Sequence, residues 1–177
     1  QAYNSTISVS TEKTSSKVVQ SNSEAMNLKF HFGDIQTLDV KTAQGIFTEL
    51  RMDGAYSSNL IGEPKLPVQR KLIAIPFGAE INVTVNNFTV STIDLNEKGI
   101  NYPLMPLQYD IPKSMDVADV PFQYNEQAYA SKSFNQSEIA SVEILGVMRG
   151  VRLARVTVEP VRFNPSTNQL EIYNDVD

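Results

Sequence analysis

The 177-residue chain has no cysteine, no tryptophan, a single histidine and no apolar run long enough for a membrane helix. Without cysteine it can form no disulfide and no thiolate metal site, and it has no cysteine nucleophile. One histidine, His31, with no elbow motif around any serine, leaves no nucleophile and base to pair. Cations are scarce as well: 15 Lys and Arg stand against 20 Asp and Glu, a net charge of −5. Nucleic acid is thereby disfavoured, since phosphate binding draws on a positive surface. Phosphate loops, HExxH and EF-hand patterns are missing, and Asp34 and Asp39 in GDIQTLD lack calcium-loop spacing. Carboxylate pairs such as Asp116 with Asp119, or Glu63 with Glu138, read as solvated loop charges. The expectation is a binding domain without catalysis, metal or cofactor. Gln1 in place of an initiator Met predicts a processed, exported chain.

What the chain does have is strand and turn chemistry. Val, Ile, Thr, Tyr and Phe are plentiful, and Asn, Ser, Gly and Pro recur between apolar runs. Residues 1–23 are mostly Ser, Thr, Asn and Lys, which predicts a flexible arm ahead of one domain over 24–177. Leu28, Phe30 and Phe32 alternate as a half-buried strand requires, with His31 on the wetter face, and IQTLDV and GIFTELRM predict two more. Pro64, Pro67 and Pro76 predict an irregular sheet edge entering a short buried run at 72–75. Ile81, Val83 and Val85, then Phe88 and Val90, predict consecutive strands. Residues 96–124 carry four prolines and no sustained period, which predicts a long loop of the kind that usually serves function. A turn of helix is predicted within 128–139, two strands around Gly146 and Gly150, and a terminal hairpin through NPSTNQ. Roughly eight to ten short strands predict an all-β fold, an antiparallel β-sandwich or jelly-roll-like single domain with a long Pro-rich functional loop.

Three segments carry a resemblance: GEPKLPVQRKLIAIPFGA, VPFQYNEQAYASKSF and ILGVMRGVRLARVTVEPVRFNPSTNQLEIYN. Over residues 62–173 the chain resembles the propeptides of the gingipain family of cysteine peptidases, and it is nearer to the lysine-specific members than to the arginine-specific ones. The resemblance implies a β-sandwich, exported to the periplasm and then secreted or held at the surface of a Gram-negative bacterium. Its partner would be the catalytic domain of its own lysine-specific peptidase, which it would inhibit and help to fold. A loop in this family delivers a basic side chain to the specificity pocket. Reading back from Val120-Pro121-Phe122-Gln123-Tyr124 places Lys113 there, flanked by Pro112 and Ser114. Lys132 in YASKSF also matches, and Arg149, Arg152 and Arg155 are rival anchors, because Arg is enriched at interface hot spots. Alternation puts Arg149 and Arg155 on one face unless a bulge intervenes. The competing reading is a carbohydrate-binding or adhesin module, with Tyr102, Tyr109, Phe122 and Tyr124 as an aromatic platform, weakened by the missing tryptophan.

Overall fold

A computed structural model describes residues 4–177. In chain order the strands among them are β1 (Ser5–Ile7), β2 (Ser15–Ser21), β3 (Met26–His31), β4 (Ile35–Thr42), β5 (Gly45–Met52), β6 (Tyr56–Ser57), β7 (Pro67–Ile75), β8 (Thr89–Asp94), β9 (Ala140–Met148), β10 (Val151–Val158), β11 (Val161–Asn164) and β12 (Gln169–Asn174). Among the described residues helical structure is confined to a 3-10 turn at Val117–Asp119 and one turn of α-helix, α1 (Glu126–Tyr129). Strand order is β1-β4-β5 in one sheet, β6-β7-β10-β9 in a second and β11-β12-β8 in a third, with β2-β3 as a separate ribbon. The strand pairings are antiparallel. All four groups contribute to one core, in which Phe32, Ile35, Leu95 and Leu170 are fully buried.

Local sequence explains most of the strands. Phe30 and Phe32 point into the core while Lys29 before them is exposed and His31 between them is half-buried, the two-residue period of a half-buried strand. Arg149 (φ 51°) and Gly150 (φ 79°) both lie in the left-handed region and join β9 to β10 as a two-residue turn, with Met148 opposite Val151. That backbone matches the twist of a hairpin.

Four expectations are corrected. The loose arm is ordered over its described part: β1 pairs with β4, β2 pairs with β3, and Ile7 is buried. One isoleucine suffices because the surrounding backbone is bonded. The amides of Val9 and Ser10 donate to the Asp34 carboxylate at 2.6 and 3.1 Å, and His31 bridges Ser10 Oγ (2.7 Å) to Asp175 Oδ1 (2.6 Å). Burying one isoleucine side chain contributes about 1.5–3 kcal/mol. Residues 1–3 of that arm lie outside the described residues.

The run expected to be buried at 72–75 alternates instead: Leu72 and Ala74 face solvent, Ile73 is half-buried and Ile75 is buried, while the continuously buried part of β7 is Pro67–Gln69. The short β6 covers only Pro67 and Val68, so the remainder of β7 is an open edge on that side. Residues 80–88 keep the strand-like alternation but have no ladder partner, and pairing begins at Thr89. Finally, Arg149 and Arg155 do not share a strand face. Arg149 sits in the hairpin turn, and the β9–β10 register shifts between Leu153 and Ala154.

Candidate functional site

The longest segment without a strand is the Pro-rich one, and the sheets hold it by both ends. On the way in, residues 103–107 zip onto β5 and onto 62–65. Thr48 donates to the Pro103 carbonyl (2.8 Å), Met105 to Thr48 (2.8 Å) and Lys65 to Met105 (2.9 Å). Gly62 then donates to Leu107 (2.7 Å) and Leu107 to Glu63 (2.8 Å). On the way out, the Asn125 amide donates to the Gly62 carbonyl at 2.8 Å. Between the two crossings the side chain of Gln108 closes the neck: its Nε2 donates to the Gln123 carbonyl (2.8 Å) and its Oε1 accepts from the Gln123 amide (2.9 Å).

Gly62 is the pivot of this neck, and its φ of +81° is a conformation that favours glycine. A Cβ there would stand 3.2 Å from the Asn125 nitrogen and 3.4 Å from the Tyr124 nitrogen, so the neck would have to give by a few tenths of an ångström to admit one. Around the neck, Phe122 packs against Phe47 of β5 with ring centroids 5.5 Å apart, and Tyr124 stacks on Tyr129 at 4.3 Å. Asn125 caps α1 through bonds from the amides of Gln127 and Ala128. The Tyr129 hydroxyl donates to the Leu104 carbonyl at 2.5 Å; burial, with the neighbouring Tyr124 phenol second, holds its proton well above the usual tyrosine range.

From this frame residues 109–121 project outward. Pro112, Lys113 and Ser114 are exposed and fall in one turn, closed by the Met115 amide donating to the Pro112 carbonyl (2.9 Å). Asp116 caps the 3-10 turn that follows, through a bond from the Ala118 amide. Lys113 is the one basic residue in 108–124, against Asp110, Asp116 and Asp119. No hydrogen bond or ion pair engages its ammonium among the described residues.

The other candidates lie elsewhere. Arg152 donates from Nη1 to the carbonyls of Pro76 (2.8 Å) and Ala79 (2.9 Å), which fixes the chain as it leaves β7. Arg155 pairs with Glu143 at 2.8 Å on the sheet surface. Arg149 is exposed at the hairpin tip beside the exposed Val147, Met148 and Val151. Arg152 sits opposite Ile75, at the far end of β7 from the neck. At about 3.3 Å per residue that is some 25 Å away. Lys132 is exposed in a bend whose carbonyl meets Asn164 Nδ2 at 3.5 Å. Of the four aromatics offered as a platform, Phe122 is half-buried against Phe47, while Tyr102, Tyr109 and Tyr124 are exposed, the last with one face stacked on Tyr129. Among the described residues no group of three His, Asp or Glu could hold a metal ion. Among the described residues no helix is long and apolar enough to cross a membrane.

Sequence reasoning missed Gly62, Gln108, Gln123 and Phe47. The first three act through pairings between distant positions. The local signals were Gly62 before Glu-Pro and the capping pattern Asn125-Glu126-Gln127.

A family model described as Propeptide_C25 matches residues 10–177. The chain belongs to that family. It is therefore a propeptide domain and not the peptidase domain, and the family assignment agrees with the resemblance read from the sequence. Lys-gingipain HG66 of Porphyromonas gingivalis is 37% identical over 176 residues, 99% of this chain and 10% of the relative. Gingipain R1 of the same species is 25% identical over 149 residues, 84% of this chain. The chain thus spans about a tenth of the length of the lysine-type relative it matches. Among solved structures, the one bearing on zymogenic latency of gingipain K from Porphyromonas gingivalis is 37% identical with a TM-score of 0.88, covering 97% of this chain and 94% of that one. The complex of the RgpB pro- and mature domains matches at 20% identity and a TM-score of 0.76, over 91% of this chain and 81% of that one, a likeness of fold. This chain is almost entirely β, as the alternating segments predicted, and it shares its fold with the gingipain K structure.

Proposed function

We propose that this propeptide domain keeps a lysine-specific cysteine peptidase latent by presenting Lys113, at the tip of the pinned loop, to the peptidase's specificity pocket. The observation that carries the reading is Lys113 itself, an exposed and unpaired cation in a tight turn, on a loop whose two ends are bonded to one glycine. A loop held in this way loses little freedom on binding, so more of the contact energy becomes affinity. Pro112 and Ser114 flank the lysine within its turn and would face the neighbouring subsites, which a substrate fills in extended form. The 37% identity to Lys-gingipain HG66, against 25% to gingipain R1, supports a lysine-specific partner. Lys132, Arg149 and Arg152 would lie outside the pocket contact; Arg149 has the exposure a rim contact needs. The same reading has the domain exported with its peptidase to the periplasm and then to the cell surface or medium, and assisting the peptidase's folding.

The test is the inhibition constant of the purified domain and of Lys113→Ala against lysine-specific and arginine-specific gingipain-type peptidases. Removing one partner of a desolvated charge pair costs roughly 2–5 kcal/mol, about thirty-fold to several thousand-fold in affinity. A loss of that size confined to the lysine enzyme is expected. A loss below about threefold overturns the pocket assignment.

A further inference from the structure

We propose that the space between β3 and residues 80–86 is the seat of one further strand, supplied by the polypeptide that follows this domain in its precursor. The inference rests on the domain's being a propeptide and not on Lys113. A cavity of about 580 Å³ lies there. Leu28 and Phe30 form one wall, residues 79–86 form the other, and Val142 and Val156 form its floor.

Backbone bonding points to what belongs in it. Phe30 and Val176 exchange both hydrogen bonds at 2.9 Å, an antiparallel pair. One residue on, Asp177 bonds to the opposite wall: its carbonyl accepts from the Asn86 amide (2.7 Å) and its amide donates to the Asn87 carbonyl (2.9 Å). Residues 176 and 177 are therefore flanked on both sides, as in a central strand. Continued straight, that line runs antiparallel to β3 past Leu28 and Met26, and antiparallel to residues 85–80, through the middle of the cavity.

Both walls have free edges waiting for it. Backbone groups alternate sides along a strand, so the N–H and C=O of Leu28 face the same side as those of Phe30, away from β2. No backbone partner meets Leu28 on that side among the described residues. Residues 80–85 make no hydrogen bond of their own among the described residues, although Ile81, Val83 and Val85 alternate as a strand does. Ile81 and Val85 are half-buried and the four residues around them exposed, so the unpaired backbone groups of this wall stand open to a pairing chain. The two-residue period also fixes what that chain must carry. Val176 is buried, so the first and third residues after Asp177 would point at Val142 and Val156, and both should be apolar.

The test compares amide hydrogen exchange at Leu28 and Val83 in the 177-residue domain and in the same domain extended by about eight residues of its natural precursor. Slowing of about tenfold or more in the extended protein, independent of concentration, is the expected result. Equal exchange in the two proteins overturns the proposal. So does slowing in the shorter protein that grows with its concentration, which would assign the seat to a second copy, or that follows addition of decanoate, which would assign it to a small apolar ligand.

Discussion

The Asn125 amide donates to the carbonyl of Gly62 at 2.8 Å, while a Cβ on Gly62 would stand 3.2 Å from that same nitrogen. One position therefore both receives the loop's outgoing limb and depends on having no side chain. Gly62→Ala is expected to cost about 1–2 kcal/mol from the left-handed backbone alone. On the proposed reading it should also weaken inhibition about tenfold with the fold intact, since about 1.4 kcal/mol of lost loop order is a factor of ten. Thermal unfolding and the inhibition constant, measured on one preparation, check this; unchanged inhibition would separate the neck from function.

Ile7 and Val18 divide the arm into an anchor and a surface. Ile7 is 1% exposed and Val18 45%. Ile7→Ala should destabilise the domain by about 2–5 kcal/mol, and Val18→Ala by less than about 0.5 kcal/mol. Denaturant titration of both variants decides it, and equal small effects would restore the loose arm.

Glu49 of β5 ties the neck to the sheet through Lys65 Nζ at 2.7 Å, with Arg51 at 3.3 Å. Burial by itself raises its carboxyl, but the bonds and charges of Lys65 and then Arg51 prevail, and the net direction is down. A carboxyl lowered on folding stabilises the fold above its ordinary value, near 4.3, and that contribution is lost as pH falls through the folded value. Glu49→Gln should cost about 1–3 kcal/mol at pH 7. The gap to the native protein should narrow on acidification below about pH 4, read from denaturation midpoints at both pH values.

Tyr129 gives the alkaline counterpart. Its proton is held more tightly folded than unfolded, so its contribution is present below the usual tyrosine value, about 10, and declines as pH rises beyond it. Tyr129→Phe loses the bond to the Leu104 carbonyl and should cost about 1 kcal/mol at neutrality. It should also flatten the stability decline above about pH 10, as followed by circular dichroism.

What was legible in the sequence was whatever a two-residue period states locally. The β3 alternation, IQTLDV and GIFTELRM formed where predicted because each buries one face of its own strand, and the hairpins at Gly150 and through Pro165–Asn168 formed where their turn residues predicted. At 81–85 the same period misled: alternation records which face is apolar, and a ladder also needs a neighbour with a free edge. Leu72 failed differently, since beyond Gln69 the strand alternates, with Leu72 and Ala74 on its outer face and Ile75 buried again. The arm was misjudged because composition averages over the one isoleucine that matters. Lys113 came from resemblance; nothing in its local pattern distinguishes it from other loop lysines. The neck lay out of reach of any local rule, since Gly62 meets residues 45 and 63 positions further on.

Because Leu107 and Asn125 are each bonded to Gly62, and Gln108 to Gln123, scission between Lys113 and Ser114 would liberate neither limb. The new carboxyl and the new amine would remain tethered to the same scaffold, facing one another as neighbours. A nick and a release would be distinct events, and a peptidase that cut this loop would still hold the halves of a clasp that had not come undone.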